Sequence, residues 1–344
     1  MKPTLKEIAE QTGCSISTVS RSLAHSASIS KKTKDHVQQV ARKLGYEPAR
    51  KKPAPRKKSK KLHFALLSDF RVAEFYAAFF LGYRKASYHE NVRISLMSIS
   101  KHREESVKLV QDAYREGNYD GIILFFPSLQ RTHYEQIIQV LPKNYPLVSN
   151  ALIDNPNITT VTFDSYNGGY LAASHLHEQG YRRLGVIEGP TIRPESRFRY
   201  NGFMDYVNQY PELSLTWRAE GEYEFESGVN AFEDFRKRMN HDQPGEKTVA
   251  DAVFATNDSM AAGFMESART AGLDVPGDVA VLGYDNLPTC IHRTTQISSI
   301  VTDFATMAGS SIKTLKNIIE NQDYQRGTLS LIPVRLSAKA STLG

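Results

Sequence analysis

The sequence is poor in cysteine and contains no long apolar run. Its 344 residues include two cysteines, Cys14 and Cys290, which lie far apart and in neither metal-binding nor CxxC spacing. This usage fits the reducing cytoplasm and points to no thiol chemistry. The first thirty residues hold no apolar segment of the signal-peptide type, and no apolar run approaches about eighteen residues. The sequence therefore argues against export and against a membrane span.

The motifs of three enzyme classes are also missing. No GxGxxG follows a predicted strand, and neither GxxxxGK[ST] nor GxSxG occurs. The sequence therefore lacks the phosphate loops that bind dinucleotides and nucleoside triphosphates, and it lacks the nucleophile elbow of serine hydrolases. His175 and His177 lie two apart on a predicted helix and point to different sides, which is poor geometry for sharing a metal. The sequence predicts a protein that is not an enzyme and that uses no cofactor.

Charge is divided unevenly along the chain. The 43 Lys and Arg exceed the 37 Asp and Glu by six, but residues 1–61 alone hold 16 basic and four acidic side chains. A basic end on an acidic body predicts a polyanion partner for that end, nucleic acid rather than membrane, because no long apolar face accompanies the charge. The chain is longer than a typical domain with a single hydrophobic core, so its length predicts two or three domains.

Two short helical patterns separated by a glycine open the chain. In TLKEIAEQTG, Thr4 and Glu7 form a capping box, and Gly13 ends the first helix. Ser15 is placed to cap the second helix, ISTVSRSL, whose outer face keeps a cluster of small hydroxyl groups. Two helices joined by so short a turn are typical of the helix-turn-helix, whose second helix enters the DNA major groove.

A third helical pattern follows, capped by Ser30. Its apolar residues Val37, Val40, Ala41 and Leu44 recur with helical spacing and predict the closing helix of a three-helix core. Any small bundle has helices with polar outer faces. Here the caps, the glycine turn, the hydroxyl cluster and the basic charge coincide within about fifty residues, which favours DNA binding.

The second helix offers both kinds of DNA contact. Thr18 and Ser20 can donate to phosphates, and Arg21 can pair bidentately with guanine. Together, TLKEIAEQTGCSISTVSRSL and ISKKTKDHVQQVARKLGYEP resemble the DNA-binding headpiece of the LacI-type (lactose repressor/purine repressor) transcriptional regulators. The resemblance implies base reading by Ile16, Ser17 and Arg21, and a homodimer on near-palindromic operator DNA. The predicted DNA-binding set is Thr4, Ser15, Ile16, Ser17, Thr18, Ser20, Arg21, Arg50, Lys51 and Lys52.

The segment after this headpiece departs from the family pattern. The family continues into a hinge helix that places a leucine in the minor groove, whereas here the text is ARKKPAPRKKSKK, with Pro55 at the apparent leucine position. Pro53 and Pro55 block a regular helix. The eight basic residues between Arg50 and Lys61 can follow phosphates or an A·T-rich minor groove. Alternatively, this basic segment is a flexible, solvated tether. Both interpretations apply if the segment becomes ordered on DNA and is mobile in its absence.

From Leu62 onward, short apolar runs alternate with helical patterns, as in a parallel sheet with helices on both faces. A second series starts at ITTVTFD, so we expect two similar α/β halves with a ligand cleft between them. The predicted domains are 1–48 (helix-turn-helix), 49–61 (basic linker) and 62–344 (ligand binding and dimerisation), the last with subdomain 1 at about 62–162 and 293–321 and subdomain 2 at about 163–292 and 322–344.

Polar side chains at predicted strand-to-helix junctions suit a polyhydroxylated ligand. Arg193, Glu195 and Arg199 follow one strand, Tyr223 follows another, and Asp258 begins a helix. A carboxylate accepts from paired hydroxyls, a guanidinium donates to oxygens, and an aromatic face covers a sugar ring. Each residue also has an ordinary interpretation: helix cap for Asp258, surface ion pair for Arg199, core side chain for Tyr223.

The resemblance extends over nearly the whole chain, through FDSYNGGYLAASHLHEQGYRRLGVIEG and ATNDSMAAGFMESARTAGLDVPGDVAVLGYDN. It implies an all-α headpiece followed by a periplasmic-binding-protein-like body of two doubly wound parallel-sheet subdomains. Ala73-Glu74 stands where the family has Asn-Pro before an aromatic pair. The effector contacts that the resemblance implies are Phe75, Tyr76, Arg193, Arg199, Tyr223 and Asp258.

The function predicted from these features is a cytoplasmic, homodimeric, ligand-responsive transcriptional regulator, a repressor of carbohydrate-utilisation genes rather than an activator. Sugars or sugar derivatives are the commonest effectors of the family, with purines and phosphorylated ligands as alternatives. No heptad segment follows PVRLSAKASTLG, which favours a dimer over a coiled-coil tetramer. The alternative is a solute-binding protein of an uptake or sensing system. Such a protein shares the body but would carry a signal peptide in place of the headpiece.

Overall fold

The computed structural model describes residues 3–23, 29–46, 61–99, 105–154, 157–239, 249–291, 295–321 and 324–343. They fall into two units, one before Lys61 and one from Lys61 onward. The predicted linker, with Arg50, Lys51 and Lys52, lies largely outside the described residues. No helix within these ranges is long and apolar enough to cross a membrane.

The N-terminal unit is a three-helix bundle made of α1 (Leu5–Thr12), α2 (Ile16–Leu23) and α3 (Lys31–Lys43). The predicted capping box is confirmed: the backbone N–H of Thr4 donates to Glu7 Oε2 at 2.7 Å, and the backbone N–H of Glu7 donates to Thr4 Oγ1 at 3.4 Å. Ile8, Val19 and Val37, one from each helix, are fully buried at the centre. The predicted helix-turn-helix core is thus present.

Six strands form the first sheet of the larger unit: β1 (His63–Ser68), β2 (Arg93–Ser98), β3 (Gly121–Phe125), β4 (Leu147–Ser149), β5 (Thr160–Phe163) and β11 (Leu329–Ile332). Their order is β11-β5-β4-β3-β1-β2, and every neighbouring pair is parallel. The apolar run HFALLS, predicted as a strand, forms β1, and GIILF of the predicted strand GIILFF forms β3; both are interior strands of this sheet.

The second sheet also has six strands: β6 (Arg183–Glu188), β7 (Ser214–Glu220), β8 (Ala252–Ala255), β9 (Ala280–Asp285), β10 (Ser298–Val301) and β12 (Arg335–Ser337). Their order is β12-β10-β9-β8-β6-β7, and β12 is antiparallel to β10 while the other pairs are parallel. The predicted doubly wound α/β body of two subdomains is confirmed.

Helices pack against both sheets, and the fold places their first turns at the carboxyl ends of the strands. The first subdomain has α4 (Glu74–His89), α5 (Glu105–Arg115), α6 (Arg131–Gln139) and α11 (Phe304–Glu320); the second has α7 (Ser165–Glu178), α8 (Pro194–Gln209), α9 (Phe225–Met239), α10 (Asp258–Thr270) and a 3₁₀ turn at Pro288–Cys290.

The chain passes from one subdomain to the other at positions that differ from the predicted boundaries. Residues 293–321 were predicted to lie in the first subdomain, but β10 within them pairs with β9 of the second sheet. Residues 322–344 were predicted to lie in the second, but β11 pairs with β5 of the first. Likewise, ITTVTFD supplies β5 of the first sheet rather than opening a second series. Strands β10 and β11 have four residues each, which is too short for a sequence periodicity to assign them to a sheet. Their sheet is decided by the strands with which they pair, β9 and β5.

Candidate functional site

The exposed face of α2 carries the residues predicted to read DNA. Ile16 is 51% exposed, and Ser17, Ser20 and Arg21 are exposed as well, whereas Val19 points into the core. The helix therefore presents an apolar side chain, two hydroxyl groups and a guanidinium on its outer surface. These are groups that contact base edges and phosphates in a DNA groove.

Four of the predicted DNA-contacting hydroxyl groups also make contacts at helix starts. Thr4 belongs to the capping box of α1. Ser15 Oγ accepts from the backbone N–H of Thr18 at 3.1 Å, and it lies 2.8 Å from Ser17 Oγ and 2.9 Å from Thr18 Oγ1. Thr18 is half-buried. These contacts fix the start of α2, and phosphate binding by the same groups stays a prediction.

A cavity of about 480 Å³ lies between the carboxyl ends of the strands of the two sheets. Its first-subdomain wall is aromatic, and the rings contact one another: the centroid of Phe75 lies 5.7 Å from that of Phe125 and 5.3 Å from that of Phe304. Such a wall suits the flat, apolar side of a ring. The aromatic residues of this wall are Phe75, Tyr76, Phe79, Phe125, Phe163 and Phe304, which include the predicted pair Phe75 and Tyr76.

A buried ion pair, Arg199 with Asp285, lies on the opposite wall. One guanidinium nitrogen of Arg199 is 3.6 Å from Asp285 Oδ1, and the other donates to the carbonyl of Thr256 at 2.6 Å. The guanidinium also stacks on the ring of Tyr284, 3.7 Å from its centroid. Burial raises the pKa of Asp285 to about 8 although Arg199 opposes the shift. Arg199, one of the predicted effector contacts, thus lines the cavity with its guanidinium paired and stacked on this wall.

Arg193, Glu195 and Tyr223 complete this polar wall. Arg193 lies 5.3 Å from the centroid of the Tyr223 ring. Tyr223 has a φ of 64°, in the left-handed region, and its burial raises its pKa to about 12. Arg199 Nε, Glu195 Oε2 and Asp285 Oδ1 are buried and have no hydrogen-bond partner among the described residues. A ligand that reaches them can complete their hydrogen bonding.

The structure contradicts the assignment of Asp258 to the cavity. Asp258 is fully buried, its Oδ2 accepts from the backbone N–H of Leu287 at 2.6 Å, and its Oδ1 accepts from the hydroxyl of Ser299 at 2.6 Å. Both oxygens thus hold α10 against the edge of β9 and β10. The helix cap is the preceding Asn257, which accepts from the backbone N–H of Met260 at 2.9 Å. Asp258 therefore has a structural role and lies outside the cavity lining.

Asp285 is the cavity carboxylate that sequence reasoning missed. It is the last residue of β9, 5% exposed, with a φ of 104°. The available signal was its position, since it ends an apolar strand in VAVLGYD, where ligand groups of an α/β sheet are found. Asp258 was predicted instead because it begins a helix after an apolar strand and falls on an effector-contact position that the family resemblance implies.

Two contacts join the subdomains across the cavity. Arg197 of α8 donates to both carboxylate oxygens of Asp154, at 2.8 Å and 2.6 Å. Glu74, at the start of α4, accepts from the backbone N–H of Thr289 at 3.1 Å. Both contacts connect segments that would separate if the cleft opened. They are therefore specific to this arrangement of the two subdomains.

The two histidines considered for metal binding have different partners. His175 Nε2 lies 2.7 Å from Thr342 Oγ1, whereas His177 contacts the Tyr206 hydroxyl at 3.2 Å and Glu212 at 3.1 Å. Within the described part of the chain, no group of three or more His, Cys, Asp or Glu side chains is arranged to hold a metal ion.

Comparison with known proteins gives two family matches. Residues 4–49 match the family described as bacterial regulatory proteins, lacI family, and residues 173–342 match a periplasmic binding protein-like domain. Similar curated proteins include the HTH-type transcriptional repressor PurR of Mannheimia succiniciproducens, 23% identical over 98% of both chains. The HTH-type transcriptional repressor CytR of Escherichia coli K12 is 26% identical over 83% of this chain and 80% of its own. Probable HTH-type transcriptional repressor ExuR of Bacillus subtilis is 28% identical over 86% of each. These relatives are repressors and not enzymes.

Solved structures share the fold. The lac repressor dimer bound to operator and the anti-inducer ONPF superimposes with a TM-score of 0.72 at 21% identity, covering all of both chains. The complex of the transcriptional regulator CelR with cellobiose gives a TM-score of 0.69 at 23% identity, covering 99% of this chain and all of that one. The architecture of headpiece and two-subdomain body is therefore common to all three.

Proposed function

The chain belongs to the lacI family of bacterial regulatory proteins, and from this premise we propose that it represses transcription as a homodimer whose operator binding depends on a carbohydrate-type effector. The observation that carries the proposal is the exposed face of α2, with Ile16 and Arg21 on its surface, inside the segment that matches the family's DNA-binding domain. Operator DNA and the effector are the partners, and the cytoplasm is the place of action.

Effector control needs two arrangements of the body that differ in effector affinity, because equal affinity for both shifts no equilibrium. The cavity provides the binding groups, with an aromatic wall from one subdomain and Arg199 and Asp285 from the other. An effector held by both walls favours the closed arrangement, in which Arg197 contacts Asp154 and Glu74 contacts Thr289.

The homodimer is supported by apolar side chains that a monomer would leave in water. Leu81 and Tyr88 of α4 are 60% and 83% exposed, and Leu96 of β2 is 50% exposed. Helix α4 and edge strand β2 are neighbours in the first subdomain. Exposed apolar groups on neighbouring elements favour a protein interaction surface, and a twofold partner gives each half of a near-palindromic operator its own headpiece.

Selection from random duplex DNA tests the DNA-binding part of the proposal. The full chain should enrich a near-palindromic sequence with two half-sites, and sedimentation of the selected complex should give two chains per duplex. A gel shift with that duplex then reports the response to candidate sugars. Sugar binding without any sequence enrichment would favour the alternative, a solute-binding protein, and contradict the proposal.

A further inference from the structure

The surface of α4 that supports the homodimer also carries positive charge. An open cavity of about 640 Å³ lies on this surface and shares no lining residue with the cleft cavity; its lining includes Lys61, Leu81, Arg84, Lys85, Tyr88 and His89. Leu81, Arg84, Lys85 and Tyr88 follow helical spacing along α4, and all four are exposed. The apolar side chains that favour a partner chain and two cations therefore share one surface.

Two carboxylates beside this surface are already occupied. Glu90, directly after α4, accepts from Lys316 Nζ at 2.7 Å. Asp303, on which the charge of Lys85 acts, accepts from the backbone of the first turn of α11 as its cap. Among the ion pairs of the described residues, none includes Arg84 or Lys85. Both cations are therefore without a counter-charge in the single chain.

A second copy of the same surface supplies no such counter-charge. In a twofold interface the same patch lies on both chains and must complement itself. Along α4 and β2, both fully described, the exposed side chains include one carboxylate, Glu74, which lines the cleft cavity and accepts from Thr289. Packing two such surfaces would bring like charges together as water leaves, which is costly without an anion between them.

We propose that the dimer surface binds a phosphate-type anion: a phosphate dianion enters the cavity on α4, accepts from Arg84 and Lys85, and is enclosed when the partner chain packs against it. The inference rests on the proposed homodimer and adds to it a ligand site outside the cleft. A guanidinium pairs with two phosphate oxygens, and an ammonium contacts a third. Because an anion held only by the dimer stabilises the dimer, assembly depends on the concentration of phosphate or of a phosphate ester.

Sedimentation of the full chain without DNA, over a dilution series, tests the proposal. Potassium phosphate is compared with potassium chloride at equal pH and ionic strength, so that screening is the same in both. A ligand bound only by the dimer tightens it by a factor of 1 + [L]/Kd per site, so we expect the dissociation constant of the dimer to fall at least about tenfold over a phosphate titration. Glucose 6-phosphate, with glucose as its uncharged control, extends the test to an ester. A response to the ester alone would support the same site and identify the ester as its ligand.

Arg84→Gln combined with Lys85→Gln removes both cations. We expect this variant to dimerise more tightly than the unaltered chain in chloride, because the repulsion is gone, and to lose the response to phosphate. Arg236→Gln combined with Lys237→Gln is the matched control. It changes the same two residue types, adjacent in the same order and exposed, in the last turn of α9 outside this cavity, and it should keep the response.

Three results would overturn the anion site while the homodimer stands: equal dimer affinity in chloride, phosphate and the ester, a phosphate response that persists without Arg84 and Lys85, or weaker dimerisation of that variant in both salts. If the unaltered chain stays monomeric in every salt and also binds its selected DNA as a single chain, the homodimer of the proposed function is wrong, and the anion site falls with it.

Discussion

Gly169 of α7 and Gly202 of α8 face each other's helix backbone at a distance that admits no side chain. A Cβ at Gly169 would overlap the carbonyl oxygen of Arg199, and a Cβ at Gly202 would overlap the carbonyl oxygen of Tyr166. Gly228 and Gly263 stand in the same relation between α9 and α10. Both helix pairs of the second subdomain thus pack backbone against backbone, and this contact sets the position of Arg199 at the cavity.

Substitution at Gly169 therefore has a predictable cost. Gly169→Ala must push α8 away from α7, and we expect a loss of about 1–3 kcal/mol in the free energy of unfolding, as for other overpacked sites, together with weaker effector binding. Gly309→Ala in α11 is the matched control, because a Cβ there meets nothing within 4 Å and alanine is the better helix former. Denaturant unfolding of both variants measures the difference. Equal stability of the two would show that the helices separate freely.

Arg21 should discriminate between DNA sequences. Its loss in Arg21→Ala removes a guanidinium from the exposed face of α2, and we expect a cost of about 1–3 kcal/mol at the selected operator with relaxed preference at one base pair. Arg42→Ala, in the last turn of α3, removes the same charge elsewhere on the headpiece. Gel-shift titrations on operator and random DNA compare them. Equal losses on both DNAs for Arg21→Ala would make this residue a phosphate contact instead.

The basic arm should contribute to the salt dependence of DNA binding. Replacing Lys51, Lys52, Lys57 and Lys58 by Gln should lower the slope of log affinity against log salt by up to about 3.6 if all four meet phosphates. Titrations at several salt concentrations give the slope for both proteins. An unchanged slope would identify the segment as a passive tether.

The sequence predicted what local pattern controls and missed what distant contacts decide. Thr4, Gly13 and Ser15 were correctly identified because caps and turns are set by neighbours a few residues away. Asp258 was misplaced, and Asp285 missed, because both lie near the carboxyl end of an apolar strand. Only the tertiary contacts of Asp258 with Ser299 and the Leu287 amide show that its carboxylate is already hydrogen-bonded within the protein.

The contact between Asp154 and Arg197 should slow effector release. Their side chains are 61% and 37% exposed, so the pair contributes at most about 1 kcal/mol. Asp154→Asn should accordingly accelerate dissociation of a bound effector by up to about fivefold. Glu135→Gln breaks an exposed pair with Arg131 on α6, at a residue that does not line the cavity, and should leave the rate unchanged. Stopped-flow displacement gives both rates, and a rate for Asp154→Asn equal to that of the control would mean that the pair plays no part in closure.

Effector affinity should depend on pH through Asp285. Burial raises the pKa of this carboxyl group to about 8, Arg199 lowers it, and the charges of Asp258 and Glu195 raise it further. Below pH 8 the group is therefore largely protonated and accepts fewer hydrogen bonds, whereas above pH 8 the carboxylate accepts strongly from effector hydroxyls. Binding a hydroxyl-rich effector favours the ionised form, so its affinity should rise as the pH increases from about 7 to 9. Asp285→Asn cannot titrate, and its affinity should be lower at pH 9 and flat across the same interval. Calorimetry in buffers of different ionisation enthalpy counts the proton released on binding; release by Asp285→Asn equal to that of the unaltered chain would assign the titration to another group.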